Sequence, residues 1–570
     1  MKKIIYTISV VATALLAGCS QEFTDTDNLY EKGLENYYSR PDDIDEAMAG
    51  VYNALYTADP FSDEAISANL LSDYVFGGGG PDDRAAKYMD GFQDPEEDTY
   101  KDLWVETYNG VYRCNIILEK LVDADFSEYF LTEAEAKEYV DRALAEAYFM
   151  RGFYYFRAAK FFGGLPLILG SLADRSVPRS SYTETYAQIA SDFKTAIELF
   201  PTKAFPAIGT DRYGHANKWV AQAYMARAYL YYTGYMTNIE GQATSDLPLP
   251  EGGTISKSQV VAYLEDCINN SGYALANDFR NLWPYSYVNT SANEVVLPWA
   301  ETEGLDWVGQ DGLNPTFGTG NAEFMFVQRY STTDWGPGQQ YNNRMRLFFG
   351  IRDNSMVPFG QGWGWGTVNP ALWSQWDDAD PRKLGSILQL GNAEQGTGAW
   401  QSGFGDHETG FMNKKYTTIQ HEDPAGVDGI KGMFYFLYDM THGDPMQLWS
   451  AQDFVFMRYA DVLLMHSEIT ETADGMNEVR DRADLDPIGY SLAALKEERK
   501  YEFAFEALRW FDLVRWGDVD TAFGGQVNLQ NSGIDAVYSV QYRAETKGLV
   551  PIPESEVRLS NGVYEQNPGW

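Results

Sequence analysis

The sequence is poor in cysteine, histidine and positive charge. Three cysteines and five histidines occur in 570 residues. None falls in a CxxC, HExxH or paired Cys/His spacing, which excludes the common zinc and disulfide frameworks. Walker and GxSxG patterns are missing too, so neither a P-loop nucleotidase nor an α/β-hydrolase serine is expected. Lysine and arginine total 43 against 82 acidic residues, a net charge of −39. Phosphate backbones need clustered cations, so no nucleic-acid partner is expected. Long hydrophobic runs are scarce: "IIYTISVVATALLAG", residues 4–18, is too short to span a bilayer comfortably. What is present is a globular composition, with 15% aromatic and 22% charged residues, in a chain long enough for an ample core.

Lys2 and Lys3 precede the apolar run, and residues 1–18 read as a secretory leader outside the fold. It ends in "LAGC", which resembles the bacterial lipoprotein cleavage box. The resemblance implies that Cys19 carries the lipid and that residues 19–40 form a tether. Each buried acyl methylene contributes about 0.8 kcal/mol, and two or more chains hold a protein stably. The polar, acidic "SQEFTDTDN" is similar to the leaders of surface-exposed lipoproteins in the Bacteroidetes. Cys114 and Cys267 lie in apolar helical sequence and are expected to be buried and inert.

From about residue 41 the chain reads as long helices. "LWVETYNGVYRCNIILEKL" sets Trp104, Tyr108, Val111 and Asn115 three or four apart, on one helix face. "RALAEAYFMRGFYYFRAAKFF" is apolar on nearly every side, the mark of a helix enclosed by others. The "GGLP" after it supplies glycine and proline as a stop. "AEAYFMRGFYYFRA" (145–158) and "AQAYMARAYLYYTG" (221–234) share five of fourteen positions without a gap. Small residues alternating with aromatics at helical spacing suit tetratricopeptide-type helix pairs, so these rings are assigned to packing. Helical periodicity returns near residue 451, in "FMRYADVLLMHSEI" and "LAALKEERKYEFAFEALRWFDLVRWGD". In the second, Glu498, Glu502 and Glu506 stand four apart, with Arg509 three further on. Among so many core residues they are read as a partly buried ion-pair network rather than as acid/base groups.

Several blocks also carry a resemblance. "EAYFMRGFYYFRAAKFFGGLPL", "RYADVLLMHSEI", "ERKYEFAFEALRWFDLVRWG" and "LVPIPESEVRLSNGVYEQNPGW", with the weaker "SANEVVLPW" and "DDADPRK", follow the order of the SusD/RagB family of outer-membrane nutrient-binding lipoproteins. The chain resembles that family from its leader to its last residue. The resemblance implies a mainly α, single large domain: a tetratricopeptide-like helix-pair scaffold with an irregular loop-rich lobe. The scaffold is expected over 41–275, the lobe over 276–450, and helices returning to the scaffold over 451–570. Members of the family cap a SusC-like TonB-dependent transporter and deliver oligosaccharides to it. Most bind glycans; the RagB-like minority is associated with peptides, which is the alternative here.

Nine of the fifteen tryptophans fall between residues 283 and 400, in segments of loop composition such as "GQDGLNPTFGTGN" and "DWGPGQQYNN". Indole faces beside Asn, Gln, Asp, Ser and Thr suit sugars, which offer a C–H face and a rim of hydroxyls. Trp283, Trp373 and Trp376 are read as core. Trp363 and Trp365 in "GQGWGWG" have glycine on both sides, and binding and loop packing stand equal for them. Trp299 and Trp307 follow "NEVVLP", where the resemblance implies ligand contacts, and Trp307 is the first choice; Trp335 is a further candidate. A tetraglycine run, residues 77–80, is flanked by Tyr74, Phe76, Asp82 and Asp83. It reads as a flexible lip with polar contacts, and the resemblance implies that it borders the sugar site. It lacks the Lys-Ser/Thr of a P-loop, and no full EF-hand spacing follows. No metal or cofactor is expected, calcium being the one ion weighed.

The expected function is a lipid-anchored, surface-facing outer-membrane protein that captures glycan without altering it. Glycosidase carboxylates leave no fixed spacing in a sequence, but no catalytic motif accompanies these acids, and no enzymatic activity is expected.

Overall fold

Polar side-chain caps start four of the scaffold helices. The computed structural model describes residues 37–94, 98–173, 177–208, 212–287, 300, 302–309, 321–331, 336–352, 358–422, 430–432, 450–523, 527–531 and 534–570. The leader, Cys19, the tether up to residue 36, Trp299 and Trp335 lie outside them. Helix α1 (Pro41–Asn53) opens with proline and two aspartates in its first turn, and strand β1 (Val75–Gly78) follows. Next come α2 (Lys101–Leu121), α3 (Glu133–Phe162), α4 (Tyr182–Leu199), α5 (Lys218–Asn238) and α6 (Lys257–Asn270). Reciprocal capping boxes start α3 (Thr132/Glu135), α4 (Ser181/Glu184) and α6 (Ser256/Gln259), while the Asn217 side chain caps α5. Each of α2 to α6 packs on the next, giving the mainly α helix-pair array.

The two echoing segments sit on α3 and α5 and meet there. Phe149, Phe153 and Phe156 bring their rings within 5.5, 5.3 and 6.1 Å of Tyr224. Such pairs add about 0.5–1.5 kcal/mol each beyond area burial. Arg151 of α3 donates to Asp192 of α4 and to Asn115 of α2, both at 2.9 Å, so one buried guanidinium ties three helices. Cys114 and Cys267 are buried, and burial pushes both thiols up, Cys267 to about 12; neither is a reactive thiolate.

Three short strands stitch the lobe to this frame: β2 (Phe324–Gln328), β3 (Trp365–Val368) and β4 (Phe454–Arg458). β3 pairs antiparallel with β1, and β2 with β4. β4 runs directly into α7 (Tyr459–Thr470), followed by α8 (Leu492–Glu502) and α9 (Arg509–Trp516), which packs on α5.

The structure corrects the continuous helical periodicity expected after residue 491. It breaks between α8 and α9 without glycine or proline, with Phe505 and Ala507 at φ of 67° and 59°. That conformation costs about 1–2 kcal/mol per residue. It is held by burial of the Phe505 ring and by Asn69, whose Nδ2 donates to the Phe505 carbonyl at 3.1 Å. Glu506 therefore leaves the helical row but still converges with Glu498 and Glu502. Arg382, Lys415, Arg458, Arg480 and Arg482 meet Glu323, Asp380, Glu498, Glu502 and Glu506 in one cluster, five cations against five carboxylates. Arg458 lies 2.8 Å from both Glu323 and Glu506, and Lys415 lies 2.7 Å from Glu506. Burial opposes ionisation of Glu502, yet Arg482, Arg458 and Arg382 hold its carboxyl well below the usual range. Arg509 is not in the cluster: it turns to Asp73, donating to both carboxylate oxygens at 2.8 Å.

Candidate functional site

The tetraglycine run continues β1 and is pinned rather than flexible. Register pairs Gly78 with Trp365 across the β1–β3 ribbon. Gly78 has a φ of 70°, and a Cβ there would collide with the Gly364 carbonyl oxygen. A Cβ on Gly79 would lie 2.6 Å from Trp365 Cδ1, so the strand can approach the indole only without side chains. All four backbone N–H groups are used internally. Gly77 donates to Asp90 Oδ2 at 2.9 Å, Gly78 to His407 Nδ1 at 3.4 Å, Gly79 to the Gly364 carbonyl at 2.8 Å and Gly80 to Asp83 Oδ2 at 2.6 Å. Burial and then the Lys87 charge push His407 down to about 4, so it is neutral and its Nδ1 can accept. Burial pushes Asp90 up to about 7, and Tyr538 donates to it at 2.7 Å.

Beyond Gly80 the chain opens onto a cleft of about 440 Å³ lined by Asp82, Asp83, Arg352, Gln361, Trp363 and Phe404. Arg352 frames it: Nη1 donates to Asp83 Oδ2 at 3.3 Å and to the Trp363 carbonyl at 3.1 Å, and Nε donates to the Phe404 carbonyl at 3.0 Å. Lys87 ties the glycine run to the far side, reaching the Gly80 carbonyl at 2.9 Å and Asp406 at 2.7 Å. Trp363 is half-buried, its ring braced edge-on by Phe348 at 4.9 Å. Phe404, which lines the same cleft, is 47% exposed. Fixed aromatic surface with acceptors and an amide can hold a flat hydroxylated ligand.

The structure brings Asp82, Asp83 and Trp363 together and leaves the other described candidates elsewhere. Trp365, 3% exposed, stacks against Phe348 at 4.1 Å and Phe61 at 4.6 Å and offers no free face. Trp307 is also 3% exposed: Asn281 binds the backbone of its turn and the ring packs toward Tyr287. Its assignment as first ligand contact is corrected to core. Tyr74 is buried with its hydroxyl on the Lys500 carbonyl at 2.6 Å, and Phe76 is buried against Tyr538; both support the ribbon rather than the cleft. Trp283 and Trp376 are buried, and Trp373 stacks on Phe411. Sequence reasoning missed Arg352, Gln361 and Phe404. Two of them left a signal: "SGFGD" places Phe404 between glycines as "GWGWG" places its rings, and Gln361 lies within "GQGWGWG" itself. Among the described residues, no group of three or more His, Cys, Asp or Glu is placed to hold a metal ion, and no helix is long and apolar enough to cross a membrane.

Two family models match the chain, one described as "Starch-binding associating with outer membrane" over residues 23–230 and one as "SusD family" over residues 338–570. The chain belongs to the SusD-like family. SusD-like protein P2 of Formosa agariphila is 24% identical to it, over 76% of this chain and 74% of the relative. A SusD-like protein of Bacteroides ovatus is 21% identical, over 89% and 81%. A laminarin-binding SusD-like protein aligns with a TM-score of 0.68 at 22% identity, covering 94% of this chain and 100% of that one. Surface glycan-binding protein A from Bacteroides thetaiotaomicron, in complex with laminarihexaose, aligns with a TM-score of 0.66 at 19% identity, covering 92% and 99%. The SusD-like fold is thus shared across nearly the whole chain, well beyond the level of sequence identity.

Proposed function

We propose that this SusD-like protein is a cell-surface glycan-binding lipoprotein that captures oligo- or polysaccharide in the glycine-walled cleft and passes it, unaltered, to a SusC-like TonB-dependent transporter. The observation that carries the reading is the cleft itself, where Trp363 and Phe404 present ring surface beside Asp82, Asp83 and Gln361. The sugar-binding names of its structural neighbours support it. The reading requires no cofactor. One or two aromatic contacts contribute roughly 1.5–3 kcal/mol each, hydrogen bonds about 1 kcal/mol apiece, and association costs at least about 4 kcal/mol. The isolated protein is therefore expected to bind its glycan with a Kd of about 10 μM to 1 mM. Calorimetry against laminarin, starch, plant, host and microbial polysaccharides checks this. Binding of a protein digest with no response to any glycan would favour peptide capture instead.

Membrane attachment is assigned to Cys19. Cys19→Ala is expected to leave glycan binding intact while releasing the protein from the outer-membrane fraction, and a variant that stayed with that fraction would refute the anchor.

A further inference from the structure

A second cavity, of about 480 Å³, lies on the helical scaffold and shares no residue with the glycine-walled cleft. Trp104, Tyr108 and Tyr112 project from α2 at four-residue spacing, one face of one helix. Trp104 forms the floor, its ring 5.3 Å from Tyr108 and 5.7 Å from Tyr564 of the C-terminal segment. The Tyr108 hydroxyl donates to the Pro166 carbonyl at 3.0 Å, which fixes that wall. Tyr112 forms the lip and is 40% exposed. Among these rings stands Glu556, half-buried. Burial is the main influence raising its carboxyl, against the attraction of Lys101. Among the described residues, no side chain or backbone N–H donates a hydrogen bond to this carboxylate, although the Glu556 carbonyl accepts from Ser560. An ionised carboxylate is acceptor-only, so its oxygens remain open to donors that a ligand in the cavity supplies. Vicinal hydroxyls supply two, and the C–H face beside them covers aromatic ring.

We propose that this cavity is a second carbohydrate-binding site, taking an uncharged pyranose segment with its ring against Tyr112 and Tyr564 and its hydroxyls on Glu556. The acidic group selects against anionic sugars there. The inference rests on the glycan reading above: one long polysaccharide engaging both cavities would raise apparent affinity through effective concentration, without new contacts.

Affinity electrophoresis through gels cast with laminarin, starch or xylan tests it, with Trp363→Ala, the double variant Tyr112→Ala/Glu556→Gln, and all three changes combined. Both positions of the double variant are at least partly exposed, and far-UV circular dichroism checks that it folds. In the gel that retards the parent protein, Trp363→Ala is expected to keep residual retardation. The double variant is expected to bind about tenfold more weakly, and the combined variant to run as in a blank gel. Double-variant mobility equal to the parent's, or complete loss with Trp363→Ala alone, overturns the second site and leaves the first standing. A parent protein retarded by no polysaccharide overturns both readings. Retardation relieved by choline rather than by free oligosaccharide also overturns the proposal, because aromatic rings around a carboxylate would then be serving a cation.

Discussion

Glu502→Ala is expected to cost about 3–5 kcal/mol of stability, the penalty for leaving buried charges without their partner. Glu502 touches Arg382, Arg458 and Arg482 at once, and all three guanidinium groups are almost fully enclosed. Removing the carboxylate leaves the cluster's five cations facing four anions. The midpoint of chemical denaturation reads the effect, and a variant midpoint matching the parent's would mean that the cluster adds nothing to the fold. The same residue sets an acid limb. Its carboxyl is held below the usual range in the folded protein and returns to about 4.3 when unfolded. Its stabilisation is therefore complete above about pH 4.3 and is lost as pH falls further. Parent stability is expected to decline below that pH, and Glu502→Gln should flatten the decline.

The second large effect separates two neighbouring tryptophans. Trp363→Ala is expected to weaken glycan binding by roughly 1.5–3 kcal/mol, about 10- to 150-fold, with little change in melting temperature. Trp365→Ala should do the reverse at first order. It empties a space between Phe348 and Phe61 and is expected to cost about 3–5 kcal/mol of stability. Calorimetric titration and thermal melting of both variants check the pair, and equal binding losses with equal melting shifts would remove the distinction drawn between them.

The scaffold was legible in the sequence because its signals are local. The alanine–aromatic spacing of residues 145–158 and 221–234 and the "GGLP" stop after the first of them mark helices directly, and the structure adds the capping boxes at Thr132, Ser181 and Ser256. The break at Phe505 and Ala507 was not legible, since burial and a hydrogen bond from Asn69, far away in the chain, impose it. The cleft was legible in part. The glycines of 77–80 and the "GWGWG" segment were separate candidates in the sequence, and the register of β1 on β3 both joins them and decides which indole faces out. Sequence composition does not rank Trp307 against Trp363; the burial of Trp307, held by Asn281 accepting from Asp306 and Val308 on either side of it, does. Arg352 was invisible because its role is to hold carbonyl groups of Trp363 and Phe404, which leaves no motif.

Because every amide of residues 77–80 is already spent within the protein, the glycine wall has no donors to lend a visitor. On the proposed reading, discrimination between one glycan and another then falls to the rim side chains. Under the proposed function, exchanging Asp82, Gln361 or Phe404 is expected to change which glycan the cleft holds while the wall behind them stays unchanged.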